Sequence, residues 1–153
     1  MTVGHALHLV ELGADVLDIG GARATRDAYR TLLVALAEAG CADGADVSLK
    51  LSALGQALAS GHEIATDHAR EICVAAAAVG ATVTLDMEDH TTTESTLAAG
   101  TALRADFPWV GNVVQTNLLR TPDDIAALAG SGARIRLVKG AYREPDSVAL
   151  SRK

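Results

Sequence analysis

One phrase recurs along the chain and limits what it can fold into. Its copies are Gly13-Ala14-Asp15-Val16, Gly44-Ala45-Asp46-Val47-Ser48-Leu49, Gly80-Ala81-Thr82-Val83-Thr84-Leu85 and Gly132-Ala133-Arg134-Ile135. Each copy follows a helical-looking segment and opens a short strand. A glycine that stops a helix and hands the chain directly to a strand, again and again, is a βα repeat. Such a repeat implies a parallel sheet, with functional residues where the strands end.

The intervening segments fit this reading. Residues 5–12 read as a short helix, and 16–19 as a strand turned by Gly20-Gly21. Thr25 can cap a helix with Ala28, Leu32, Leu36 and Ala39 on one face. Residues 47–51 read as the second strand, 64–79 as the next helix and 83–87 as the third strand. Thr91 and Glu94 have the spacing of a capping box for a helix running towards Asp106, although Gly100 weakens it. Residues 110–115 form the fourth strand. Thr121-Pro122-Asp123-Asp124 starts a helix with a cap, a proline and two acids at the positive end of the dipole. Residues 135–139 form the fifth strand, and Asp146 is placed to begin a further helix.

The pattern inside the strands separates two architectures. Strands of a doubly wound sheet are covered on both faces and read as continuous apolar runs. Here Val47, Leu49 and Leu51 oppose Ser48, Lys50 and Ser52. Val83, Leu85 and Met87 oppose Thr84, Asp86 and Glu88, and Ile135 and Leu137 oppose Arg134 and Arg136. One apolar face under helices and one polar face turned inward belong to a (β/α)8 TIM barrel. A whole barrel takes roughly 250 residues. At 153 residues, with about five parallel strands, the chain reads as a single α/β domain over residues 1–153, a partial, truncated barrel.

Composition narrows the partners. A formal charge of −6 argues against a nucleic-acid surface. No apolar run reaches the length of a membrane span, and residues 1–10 do not resemble a signal peptide. Cys41 and Cys73 fit no metal or redox spacing, so a reduced, cytoplasmic protein is expected.

Four inward residues stand near the carboxyl ends of successive strands: Lys50, Asp86, Gln115 and Arg136. A carboxylate flanked by two cations would be held ionised, and the cations could bind an anion or steady charge on a cofactor. The same residues could equally be a structural polar network filling the lumen. Lys139-Gly140-Ala141 offers either a close backbone approach to a phosphate or an ordinary glycine turn. Asp86, Glu88 and His90 would share one side of an extended strand and so could ligate a divalent metal. A charged strand end leading into a helix cap explains them as well. His62 and His68, with His5 and His8, read as helix-surface or helix-start residues, and Trp109 as a packing residue.

These residues carry a resemblance. Val47-Ser48-Leu49-Lys50-Leu51-Ser52-Ala53-Leu54, Leu85-Asp86-Met87-Glu88-Asp89, Val113-Val114-Gln115-Thr116-Asn117-Leu118 and Arg136-Leu137-Val138-Lys139-Gly140-Ala141-Tyr142 are similar to phrases of the proline dehydrogenase family, in the family's order. The resemblance runs over residues 25–145. It implies a (βα)8 barrel with FAD at the strand ends, oxidising L-proline to 1-pyrroline-5-carboxylate. Electrons would pass on to a quinone-type acceptor. Lys50 matches the lysine that contacts the substrate carboxylate, Asp86 the active-site aspartate and Arg136 the arginine beside the flavin. Met87, Gln115, Lys139, Gly140 and Ala141 match cofactor contacts.

Two departures stand beside it. The family continues for three more strands and a last helix, which carry a pair of carboxylate-binding arginines. A second chain completing the barrel is one expectation that follows. Residues 1–22 are atypical, and residues 14–21 faintly resemble a strand of dihydropteroate synthase. Two other functions remain as alternatives: an inactive remnant or assembly piece, and a metal-dependent lyase or hydrolase built on Asp86, Glu88 and His90. Location is expected to be cytoplasmic, with a position peripheral to the membrane left open.

Overall fold

The computed structural model describes residues 16–150. Helix–strand alternation is realised as α1 (Ile19–Glu38), β1 (Asp46–Leu49), a 3-10 turn (Ser52–Leu54), α2 (Gly61–Val79) and β2 (Thr82–Leu85). It continues as α3 (Thr93–Arg104), β3 (Gly111–Gln115), α4 (Thr121–Ala129) and β4 (Arg134–Val138). The chain divides into two compact units, Met1–Thr84 and Leu85–Lys153.

In the first unit the expected strand over residues 16–19 does not form. Asp18 takes an extended conformation, and its carboxylate accepts the Gly21 N–H at 2.8 Å. That contact caps a helix, so α1 starts at Ile19 and Thr25 lies inside it. Four strands, not five, are therefore present among the described residues. The expected helix over residues 5–12 lies outside them. The buried face of α1 is Ala22, Tyr29, Leu33 and Leu36 rather than the Ala28–Leu32–Leu36–Ala39 stripe. Tyr29 shifts the face because its ring is buried and its hydroxyl donates to the Ser48 carbonyl at 3.1 Å.

α1 packs on α2, whose inner side is mostly small: Gly61, Ala65, Ala69, Cys73 and Ala76 are all buried. Gly61 lies hard against the turn that precedes α2, since a Cβ there would stand 2.1 Å from the Gln56 carbonyl oxygen. His68 is buried, not on the helix surface, and its Nδ1 lies 3.0 Å from the Leu54 carbonyl oxygen. Gly80 ends α2 in the left-handed region, as the repeated phrase requires. β1 neighbours β2, and the expected alternation holds in β1, with Val47 and Leu49 buried and Asp46 and Ser48 half-buried. Asp46 uses the polar face, accepting the Thr82 and Thr84 hydroxyls at 2.9 and 2.7 Å.

In the second unit β3 and β4 pair in parallel, with Gly111 opposite Arg134 and Gln115 opposite Val138. All five residues of β3 are buried. α3 approaches β3 at Gly100, where a Cβ would lie 2.2 Å from Asn112 Oδ1. Asn112 is fully buried and accepts Arg104 Nη1 at 2.5 Å, so the glycine that weakened the helix in sequence makes room for an amide.

The capping box is not made. Thr92 is the N-cap, Thr91 turns its hydroxyl to Asp89 at 2.5 Å, and Glu94 pairs with Arg120 at 2.7 Å. Arg120, not Thr121, precedes α4 as its N-cap; the Thr121 hydroxyl donates to the Gln115 carbonyl instead. β4 departs from the expected burial. Leu137 is 57% exposed, because no helix follows β4 among the described residues. Residues 146–150 form a turn and a bridge between Leu118 and Ala149, not a helix.

Candidate active site

Polar side chains of the second unit stand on its strands and in the turns that follow them. Arg136, in β4, donates from Nη2 to Asp86 Oδ1, one residue past the end of β2. The two side chains are 31% and 25% exposed, so the pair is shielded yet reachable. β4 leaves the Arg136 guanidinium on the side opposite Leu137, as strand alternation requires.

Gln115 closes β3 and is 2% exposed. Its Nε2 donates to the Glu88 carbonyl, which settles the orientation of the amide. Its Oε1 is buried without a hydrogen-bond partner. Asn117 Oδ1 is a second such oxygen. Both converge on Gly140, where a Cβ would lie 2.0 Å from Asn117 Oδ1 and 2.7 Å from Gln115 Oε1. Gly140 also has φ +97°, a conformation that other residues adopt only under strain. The turn after β4 is pinned where Asn117 N–H donates to the Lys139 carbonyl at 3.2 Å and Thr116 N–H to the Val138 carbonyl at 2.7 Å. Lys139 and Ala141 are exposed, Tyr142 is half-buried and Met87 is buried.

Of the residues singled out in sequence, Asp86 and Arg136 are brought into contact, and Gln115 and Gly140 face each other. Lys50 follows β1 in the other unit and is half-buried. Asp86, Glu88 and His90 do not share a strand face, because β2 stops at Leu85. Asp86 turns to Arg136, and His90 Nδ1 lies 2.5 Å from Glu144 Oε2. Among the described residues no group of three His, Cys, Asp or Glu side chains is placed to hold a metal ion. Nor is any helix among them long and apolar enough to cross a membrane.

Asn117 and Glu144 were missed as site residues. Asn117 was within reach, since it stands two residues after Gln115 and shares its parity along the strand. Glu144 gave no local signal. Asp89, next to His90, is held below the usual carboxylate range by the Thr91 hydroxyl, together with the Thr91 N–H and the nearby imidazole.

Parallel strands alternating with helices, with an arginine of β4 paired to an acid just past β2 and two amides converging on the turn after β4, are parts of a (β/α) barrel. The family model described as Proline dehydrogenase matches residues 3–152, and the chain belongs to the proline dehydrogenase family. That match also takes in most of the first 22 residues, which the sequence phrases had set apart. Proline dehydrogenase of Deinococcus radiodurans is 42% identical over 106 residues, 67% of this chain and 34% of that protein. Proline dehydrogenase 1 of Bacillus subtilis is 37% identical over 105 residues, 69% of this chain and 34% of that protein.

The chain thus spans about a third (34%) of the length of these curated relatives. Proline utilization A from Bdellovibrio bacteriovorus, inactivated by N-propargylglycine, superposes with a TM-score of 0.74 at 24% identity. That match covers 84% of this chain and 17% of the other. The Bradyrhizobium japonicum protein gives 0.69 at 27% identity, covering 86% and 16%.

Proposed function

We propose that this chain forms part of an FAD-dependent enzyme oxidising L-proline to 1-pyrroline-5-carboxylate in proline catabolism to glutamate, with electrons passing on to a quinone-type acceptor. The observation that carries the reading is the buried Gln115 Oε1, oriented by Glu88 and without a donor, beside a glycine that admits no side chain. An isolated buried acceptor of this kind costs about 1–3 kcal/mol. A ring N–H of a flavin would remove that cost, and Gly140, lacking a side chain, leaves the room that the two amide oxygens occupy. The residues present therefore fit the cofactor.

Gln115, Met87 and the Lys139–Ala141 turn would hold FAD. Bound there, FAD supplies the two-electron acceptor for a hydride from the substrate carbon next to nitrogen. Arg136 supplies a fixed positive charge for the negative charge that builds up during transfer, and Asp86 holds the guanidinium in one orientation. Lys50, on the family resemblance, contacts the substrate carboxylate and so positions the ring. A cytoplasmic protein resting at the membrane surface would meet a quinone-type acceptor.

The test is to titrate the purified chain with FAD and add L-proline without oxygen. Flavin absorbance that appears with the protein and bleaches on proline supports the reading; a chain that takes up no FAD removes it. A second reading, an assembly piece that pairs with another chain, is favoured by Leu137, 57% exposed on β4. A monomer at all concentrations in size-exclusion chromatography would count against that.

A further inference from the structure

Beyond Gly140 the chain makes a polar contact that the proposed reaction does not use. The Glu144 side chain is only 2% exposed. Its Oε1 accepts the backbone N–H of His90 at 3.0 Å, and its Oε2 lies 2.5 Å from the ring Nδ1 of the same residue. A carboxylate accepts from both groups at once, so Nδ1 is the nitrogen that carries the proton. Charge-assisted contacts of this geometry, away from water, are among the stronger hydrogen bonds a protein makes.

The positions of the two residues give the contact its meaning. His90 lies four residues after Asp86, and Glu144 four residues after Gly140. The segment between Asp86 and His90 includes Glu88, whose carbonyl orients the Gln115 amide. The segment between Gly140 and Glu144 carries the turn that the amides of Gln115 and Asn117 face. Further along, Leu119 N–H donates to the Val148 carbonyl at 2.9 Å and Leu150 N–H to the Asn117 carbonyl at 2.8 Å. The stretch after β4 is thus tied near its start by Asn117 and near its end by Leu119 and Asn117, and Glu144 holds its middle.

We infer that Glu144 and His90 form a clasp that positions the Gly140–Tyr142 turn against the Glu88–Gln115 contact and so sets the affinity of the site for a flavin. Glu144 is a positioning residue here, not a catalytic one. The inference rests on the flavin reading for its ligand, but the clasp itself is a property of this chain.

The experiment compares the chain with Glu144→Ala, Glu144→Gln and His90→Gln by amide hydrogen exchange without FAD, and by FAD titration. Glu144→Ala is expected to speed exchange at the His90 amide and over residues 140–143, leaving β3 and α4 as protected as before. FAD binding should weaken about tenfold, a part of what the two lost contacts to the carboxylate are worth, because the clasp acts on the site through the turn. Glu144→Gln keeps an acceptor for one donor, and His90→Gln keeps the backbone contact. Both should fall between the two extremes, which a merely global loss of stability would not produce.

Unchanged exchange over residues 140–143 in all three variants would overturn the clasp. Loosened exchange with unchanged FAD affinity would overturn its link to the site. Should Glu144→Ala not fold, the two milder variants decide by the same readouts. Should the unaltered chain bind no FAD, the functional reading fails, while the exchange data still judge the clasp.

Discussion

The two units use their polar side chains differently. In the first, Asp46 is met by two threonine hydroxyls, the Tyr29 hydroxyl by a carbonyl, and the Arg26 guanidinium by Asp27 and Glu71 at 2.9 and 3.1 Å. In the second, Gln115 and Asn117 bury acceptor oxygens with no partner next to a glycine. Matched polar groups hold a structure together; unmatched ones facing a bare backbone store a cost that a ligand can remove. The comparison teaches that polar groups tie packed elements together in the first unit, while in the second two amide oxygens meet at one glycine turn.

Breaking the comparison is most direct at Arg136. Arg136→Met removes the ion pair with Asp86 and the charge proposed to assist transfer. Turnover of L-proline by the FAD-loaded enzyme should fall roughly 100- to 1,000-fold, by analogy with loss of one preorganised donor. Steady-state kinetics read this, and the thermal midpoint should move little, because both side chains are partly exposed.

Glycine substitutions then separate packing from binding. Gly61→Ala drives a Cβ against a backbone oxygen at 2.1 Å and should destabilise the first unit by about 3 kcal/mol or more. Gly140→Ala meets side-chain oxygens and a φ of +97°; it should cost about 1–3 kcal/mol and abolish FAD uptake. Gly132→Ala, at φ +69° with nothing within 4 Å, should cost only about 1–2 kcal/mol and leave uptake intact. Urea melts and FAD titrations of the three variants distinguish these outcomes.

The cysteines give a sharper probe of the first unit. Burial pushes the Cys73 thiol up to about 12, and Cys41 is exposed. A thiol reagent at neutral pH should label Cys41 at once and Cys73 only when the unit opens. Labelling of both at equal rates would show that α1 and α2 do not protect their shared core.

The smallest expected effect is on pH. The folded Asp89 carboxyl is held below its ordinary value, chiefly by the Thr91 hydroxyl. Its ionised form therefore stabilises the start of α3 above the unfolded value. That contribution disappears as pH falls through the lower folded value. Asp89→Asn should flatten the acid side of the stability profile slightly, and because the group is only half-buried the change should be small.

Much of this was open to reading along the chain. Glycine-led strands, the alternation of β1 and the phrases at the strand ends depend on neighbours two to four residues apart, where periodicity and turn chemistry act. Those rules also erred locally. They favoured a strand over residues 16–19, where one carboxylate capping Gly21 starts a helix. They read a capping box at Thr91, where Asp89 and Arg120 compete for its members. Order of elements, family and the acid–arginine–amide set follow from sequence, because each is written in short contiguous words.

Tertiary structure decided which of those words touch. Arg136 meets Asp86 across 50 positions, and Glu144 meets His90 across 54. The unpartnered amide oxygens at Gly140 exist only because β3 and the turn after β4 come together. Local pattern determines what a segment prefers to be; the burial of one segment against another determines which of its polar atoms lose water and what they find in its place.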